Sequence, residues 1–204
     1  MNKQREVIYT QRREVLESED VHSIIEDMMQ DLVDDLVAET AQDRKHPEDW
    51  EWDALNDRAE EVFNIKPGWL DTDPAEMDAD SLREKLQAAV DQAYKAQDER
   101  NRTDQMRQIE RMVLLQMVDT LWKEHLLNMD HLKEGIGLRG YGQKNPLDEY
   151  KKEGYELFLS MVETVKEQTI TTLMHVRILQ SDEVDRFEEE QRRKQEEELE
   201  QARL

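Results

Sequence analysis

GIGLRGYGQKNP, residues Gly135 to Pro146, decides how the rest of the chain is read. It holds four of the six glycines, Gly135, Gly137, Gly140 and Gly142. So dense a set ends a helix and permits positive φ, and Pro146 suits the first turn of a following helix. The reading is a hairpin bend with Leu138, Arg139 and Tyr141 at its exposed tip. Tyr141, between two glycines, either folds back to cap the hairpin or touches another chain. Before the bend, Ile109, Val113, Met117, Leu121, Trp122, Leu126, Met129, Leu132 and Ile136 keep a helical period. After it, Leu147, Tyr150, Leu157, Phe158, Met161, Val162, Val165, Leu173 and Val176 do the same. Helices of similar length joined by a tight bend pack antiparallel. Gly154 marks either a close approach or a kink.

Upstream, Met1 to Glu17 reads as a thin helix with Val7, Ile8, Val15 and Leu16 as its apolar positions, resembling the interior of a longer helix. Ser18 to Asp20 offers a break and a new N-cap. Val21, Ile25, Met28, Leu32 and Leu36 then form a helical face, with Asp27, Asp31, Asp34 and Asp35 largely off it. Ala41 to Asp49 is a linker. Trp52, Leu55, Ala59, Val62 and Phe63 give a short helix closed by Lys66-Pro67-Gly68, a turn signal. After an acidic loop, Ser81 with Glu84 has the form of a capping box, opening a helix that uses Leu82, Leu86, Val90 and Tyr94. Trp50, Trp52, Phe63 and Trp69 are the candidates to hold this acidic stretch together. Asn101 to Asp104 is polar enough for a boundary. Ser181 to Leu204 loses the apolar stripe and reads as a charged helix or linker.

The fold class that follows is all-α, built from long paired helices with almost no strand and no thick single core. The composition agrees, at 37% apolar and 38% charged residues with few glycines and prolines. The four segments expected are residues 1–42, 43–103, 104–180 and 181–204.

Charge excludes several classes of function. The net charge is −22, which disfavours nucleic acid and anionic lipid, since a polyanion gains no counterion release from another. Glu17 to Asp80 holds 22 acidic and 4 basic residues, a local net of −18. The bend, with Arg139 and Lys144 and no acid, is locally basic. Cysteine is absent, so disulfide and thiolate chemistry are excluded. No apolar run approaches the roughly 18 residues a membrane span requires. Met1 to Arg13 is too polar for a signal peptide, so a cytoplasmic location is expected.

Catalytic and metal readings fail on spacing. There is no phosphate-binding G-x-x-x-x-G-K-[ST] motif, and Gly142 is followed by Gln143, Lys144 and Asn145. His125 and His131, six apart, do not share a helical face, and no metal-ligand motif accompanies them. Glu124 and His125 point about 100° apart, and a polar helix face is the preferred reading for both. Asp34-Asp35 reads as a solvated acidic face. Met106, Met112, Met117, Met129 and Met161 are either core filler or an adaptable peptide surface.

The run LWKEHLLNMDHLKEGIGLRGYGQKNPLDEYKKEGYELF, Leu121 to Phe158, closely resembles the two-helix finger of the SecA family of bacterial protein-translocation motors. NKQREVIYTQRREVL, Asn2 to Leu16, is similar to the end of that family's central scaffold helix. The acidic stretch with Trp50, Trp52 and Pro67-Gly68-Trp69-Leu70 sits where the family has its helical wing.

The resemblance implies a scaffold at 1–42, a wing at 43–103 and a finger at 104–180. In the family, separate motor domains bind ATP and Mg, so no cofactor and no catalytic residue are expected in this chain. The partners it implies are those motor domains, the SecY/SecE/SecG channel and preproteins, with homodimerisation also allowed and no nucleic acid. It also implies a peripheral place at the inner face of the plasma membrane. The finger tip would contact the polypeptide through Leu138, Arg139 and Tyr141, turned out by Gly135, Gly137, Gly140, Gly142 and Pro146, and the finger restrains the idling ATPase. The family's cysteine-rich zinc tail is absent. The competing expectation is a free-standing helical scaffold that dimerises through stripes on Met1 to Val37.

Overall fold

The computed structural model describes residues 1–18, 20–42, 45–70, 77–139 and 145–178, with the side chains of 137–139 excepted. Gly140, Tyr141, Gly142 and the segment 181–204 lie outside the described residues. Among the described residues six α-helices account for the architecture and no strand occurs. They are α1 (Asn2–Glu17), α2 (His22–Thr40), α3 (Trp52–Phe63), α4 (Ala79–Asn101), α5 (Thr103–Arg139) and α6 (Pro146–His175). A short 3-10 turn at Pro47–Asp49 precedes α3.

The frame is the α5–α6 hairpin. At 1.5 Å per residue, α5 with its 37 residues spans roughly 56 Å and α6 with 30 about 45 Å. Their pairing is antiparallel: Met129 meets Gly154 and His125 meets Phe158 across the seam. The helices α1, α2, α3 and α4 all pack on this hairpin, and buried apolar side chains connect from Ile8 on α1 to Met174 on α6.

Local chemistry sets the boundaries. Asn64 takes the left-handed conformation at φ +55°, so its own N–H and that of Ile65 reach back to Glu60 and Ala59 and close α3. Gly68, at φ +92°, makes the turn that Pro67-Gly68 announces. Arg102, at φ +62° but with ψ 119° rather than the left-handed helical value of Asn64, ends α4 and leads into α5. The cap of α4 is Asp78 rather than Ser81. Its carboxylate accepts the Ser81 N–H at 2.7 Å, and these bonds hold the Asp78 carboxyl below its ordinary range. A carboxylate three residues upstream satisfies the amide that Ser81 would otherwise leave exposed.

The apolar stripes follow the sequence pattern closely in α3 and α4. Leu55, Ala59, Val62 and Phe63 are buried, as are Leu82, Leu86, Val90 and Tyr94. In α2 the buried face is Ile25, Met29, Val33, Leu36 and Val37, continuing that of Val21 just before it, with Met28 and Leu32 at its margin. A helix packed on both α4 and α6 buries a wider arc than a single stripe. In α1 only Ile8 and Val15 are buried, while Val7 and Leu16 point outward. They lie a turn-fraction away from the contact with α5, so helical phase separates them from their buried neighbours.

Candidate functional site

The candidate site is the distal end of the hairpin together with what anchors it. Helix α5 does not stop at Gly135; it continues to Arg139, so Gly135 and Gly137 are helical rather than turn residues. A helix tolerates glycine at a cost of about 1 kcal/mol each, which the flanking Ile136 and Leu138 do not forbid. On the far side of the bend the Asn145 carboxamide oxygen accepts the Leu147 N–H at 3.1 Å, and Pro146 occupies the first turn of α6 as expected. The backbone at Leu138 and Arg139 is the last turn of α5. Tyr141 lies outside the described residues, as do the side chains of Leu138 and Arg139.

Between Met129 and the tip, no described residue of α5 is buried. On α6 none is buried before Gly154. About ten residues of α5, roughly 15 Å of helix, therefore project beyond the last core contact. That last contact is closely fitted. A Cβ on Gly154 would lie 2.7 Å from Met129 Cε, so Gly154 serves close approach and α6 runs through it without a break. Gln4 on α1 donates to the Gly154 carbonyl at 2.9 Å, and its carbonyl oxygen lies 3.4 Å from His125 Nε2. Three helices thus meet at one point.

His125 departs from the polar face expected for it. It is only 3% exposed, stacked on Trp122 at 5.4 Å and edge-on to Phe158 at 5.7 Å. Burial pushes the imidazole below its ordinary value and favours the neutral ring. Glu124 is exposed and His131 is exposed, so neither joins it. The signal was present in the sequence, since Trp122, His125 and Met129 follow the 3, 4 spacing of the buried stripe.

The base of the hairpin is held differently. Glu110 on α5 is fully buried, and one of its oxygens accepts the Tyr94 hydroxyl, an Arg107 N–H and a contact from His22 Nδ1 at 3.0 Å. The His22 and Tyr94 rings stack at 5.6 Å, and Arg107 also pairs with Asp98. Burial, then Glu110, raises the Tyr94 hydroxyl far above its usual value. Burial opposes the Arg107 charge, but Glu110, Tyr94 and Asp98 outweigh it and its pKa rises. Near the other end of α6, Gln97 donates to the carbonyls of Leu173 and Val176, and Asn101 donates to Val176 at 3.1 Å while accepting the Ile178 N–H at 3.0 Å. These amides satisfy carbonyls that a helix end leaves unpaired. Sequence reasoning placed Tyr94 in the core and missed Gln4, Gln97, Asn101 and Glu110, because a polar residue at a core position gives no pattern of its own.

Among the methionines, Met106, Met129 and Met161 are core, whereas Met112 is 58% exposed. Asp34 is tied to Arg83 at 2.6 Å on the surface. No group of three or more potential metal ligands occurs among the described residues, and none of their helices is long and apolar enough to cross a membrane. Among the described residues the arrangement is a set of packed helices from which the distal end of the hairpin projects.

Comparison with known proteins places this architecture. Residues 1–177 match the family model for the SecA Wing and Scaffold domain. The chain is 48% identical over 190 residues to the protein translocase subunit SecA of Desulfotalea psychrophila, covering 93% of this chain and 22% of the relative. The corresponding protein of Desulforapulum autotrophicum is 45% identical over 185 residues, covering 89% and 22%. That of Syntrophobacter fumaroxidans is 42% identical over 191 residues, covering 94% and 23%. The chain thus spans under a quarter of the length of the curated relatives it matches, and the region it matches is their wing and scaffold rather than an ATPase domain. With an all-helical frame, an anchored hairpin and this match across nearly its whole described length, the chain belongs to the SecA wing and scaffold domain family.

Proposed function

We propose that this chain is the non-catalytic part of a preprotein translocase motor that couples ATP hydrolysis elsewhere to movement of polypeptide through a SecY/SecE/SecG channel. In this reading residues 1–42 are scaffold, 43–103 the wing and 104–180 the two-helix finger, with 181–204 a charged extension. The motor domains of its SecA relatives supply ATP and Mg sites, and the finger restrains their hydrolysis at rest. The protein then works at the inner face of the plasma membrane.

The observation that carries the proposal is the projecting hairpin arm, anchored at Gln4, Met129 and Gly154, with no buried residue beyond them among those described. Packed helices move as units, so displacement at the base reaches the tip with little loss. Leu138, Arg139 and Tyr141 are the proposed polypeptide contacts, because an aromatic face gives apolar contact tolerant of sequence. The exposed Val7, Tyr9 and Leu16 of α1 suit docking of the motor domains.

The test is Tyr141→Ala in a chain joined to SecA motor domains. Translocation of a preprotein into inverted vesicles is expected to be lost, with helicity and melting unchanged. Normal translocation by that variant overturns the role of the tip.

A further inference from the structure

Two acidic rows face each other across an open groove of about 520 Å³ between α2, α3 and α6. Asp35 and Glu39 stand one helical turn apart on α2, and Glu163 and Glu167 one turn apart on α6. Like charges at this spacing destabilise the helices that carry them. The floor between the rows is apolar, formed by Leu32, Leu36 and Val62.

The chain's own cations relieve only part of this repulsion. Arg58 pairs with Glu167 at 3.0 Å and with Glu61 at 2.9 Å, so Glu167 is satisfied from within. Lys166 is drawn to Asp31 at 2.6 Å and stands 3.9 Å from Glu163. Asp35 and Glu39 form no ion pair among the described residues.

We infer that this groove docks a basic amphipathic segment of a partner polypeptide. Lysine or arginine heads one turn apart meet Asp35, Glu39 and Glu163, while their methylene stems and an aliphatic side chain between them lie on Leu32 and Leu36. Long basic side chains are suited to this, since their stems are apolar and only the head needs water or a counter-charge. The surrounding negative field raises the encounter rate of such a segment. The site is separate from the hairpin tip and stands whether or not the tip contacts polypeptide.

The experiment titrates the full chain into a fluorescein-labelled helical peptide carrying Lys at i, i+4 with Leu between, read by anisotropy at low and physiological salt. Saturable binding is expected, weaker at higher salt. Asp35→Lys with Glu39→Lys is expected to weaken it about tenfold or more, each tenfold being about 1.4 kcal/mol. The isosteric pair Asp35→Asn with Glu39→Gln is expected to act in the same direction and preserves the fold if the reversal does not. Glu84→Lys with Glu99→Lys makes the same charge change on exposed α4 positions and is expected to leave binding within about twofold.

Equal losses in the groove and α4 pairs would reduce the binding to general negative charge and overturn the proposal, as would undiminished binding by both groove variants. Sedimentation without peptide completes it: a dimer abolished by the groove variants would assign the groove to a second copy and refute the partner proposed.

Discussion

The two ends of the α5–α6 hairpin are built on opposite principles. At the base, α2 and α4 pack on α5 around a fully buried Glu110 bound to Tyr94, Arg107 and His22. Toward the tip, beyond Met129 and Gly154, no described side chain is buried. Geometry at the base is held by several partners that converge on one Glu110 oxygen, while its other oxygen is buried without a hydrogen-bond partner. In the arm it depends on helix propensity and on one fitted contact. The difference separates a buried anchor from a projecting arm: substitutions at the base should act on stability, and substitutions in the arm on what the arm touches.

The largest effect expected from this contrast is at Glu110. Glu110→Ala leaves the Arg107 charge, the Tyr94 hydroxyl and His22 without their common acceptor, and breaking a buried pair from one side costs about 3–5 kcal/mol. Urea unfolding followed by circular dichroism measures it. A loss below about 1 kcal/mol would mean that the base does not anchor the hairpin through this group.

A smaller contrast concerns two glycines on facing helices. Space around a Cβ at Gly135 is open, so Gly135→Ala should stabilise by up to about 1 kcal/mol through helix propensity alone. At Gly154 the same propensity gain meets the methyl end of buried Met129, which must shift to admit a Cβ, so the net effect runs from neutral to a loss of about 1 kcal/mol. In a Met129→Ala background, where the methyl end is gone, Gly154→Ala should become neutral or stabilising. Equal effects of the two alanines in the parent chain would show that the close approach does not constrain the arm.

The smallest effect is a pH dependence at His125. Its folded value lies below the ordinary histidine value of about 6.5, so between the two the unfolded chain binds a proton that the folded chain does not. Stability therefore rises with pH through that window and is lost as pH falls below about 6.5. Melting temperatures across this range should show a slope that His125→Gln reduces. An unchanged slope would place the titration on another group.

Much of this was legible in the sequence. The stripes of α3 and α4 lie at their predicted positions because each helix faces one broad apolar surface, and periodicity then maps directly to burial. The pattern was less informative in α2 and α5, which are enclosed by several partners and bury more than one face. It failed for His125 and Ser81 for a different reason. Whether a histidine is buried, or which of two nearby polar residues caps a helix, depends on a neighbour's position rather than on local spacing. The side chain that fills the space beside Gly154 belongs to Met129, 25 residues away in the chain.

By itself the sequence determined the all-helical class, the hairpin, the approximate limits of its helices and, through the run from Leu121 to Phe158, the family. These depend on interactions within a few turns, or on a long run of identities, and both can be read along a chain. Only the tertiary structure decided that Gly135 and Gly137 belong to α5, that Gly154 serves close approach, that Glu110 anchors the base and that two acidic rows flank a groove. Each of these is a relation between residues far apart in sequence, where packing and desolvation select one arrangement among several that local preference allows.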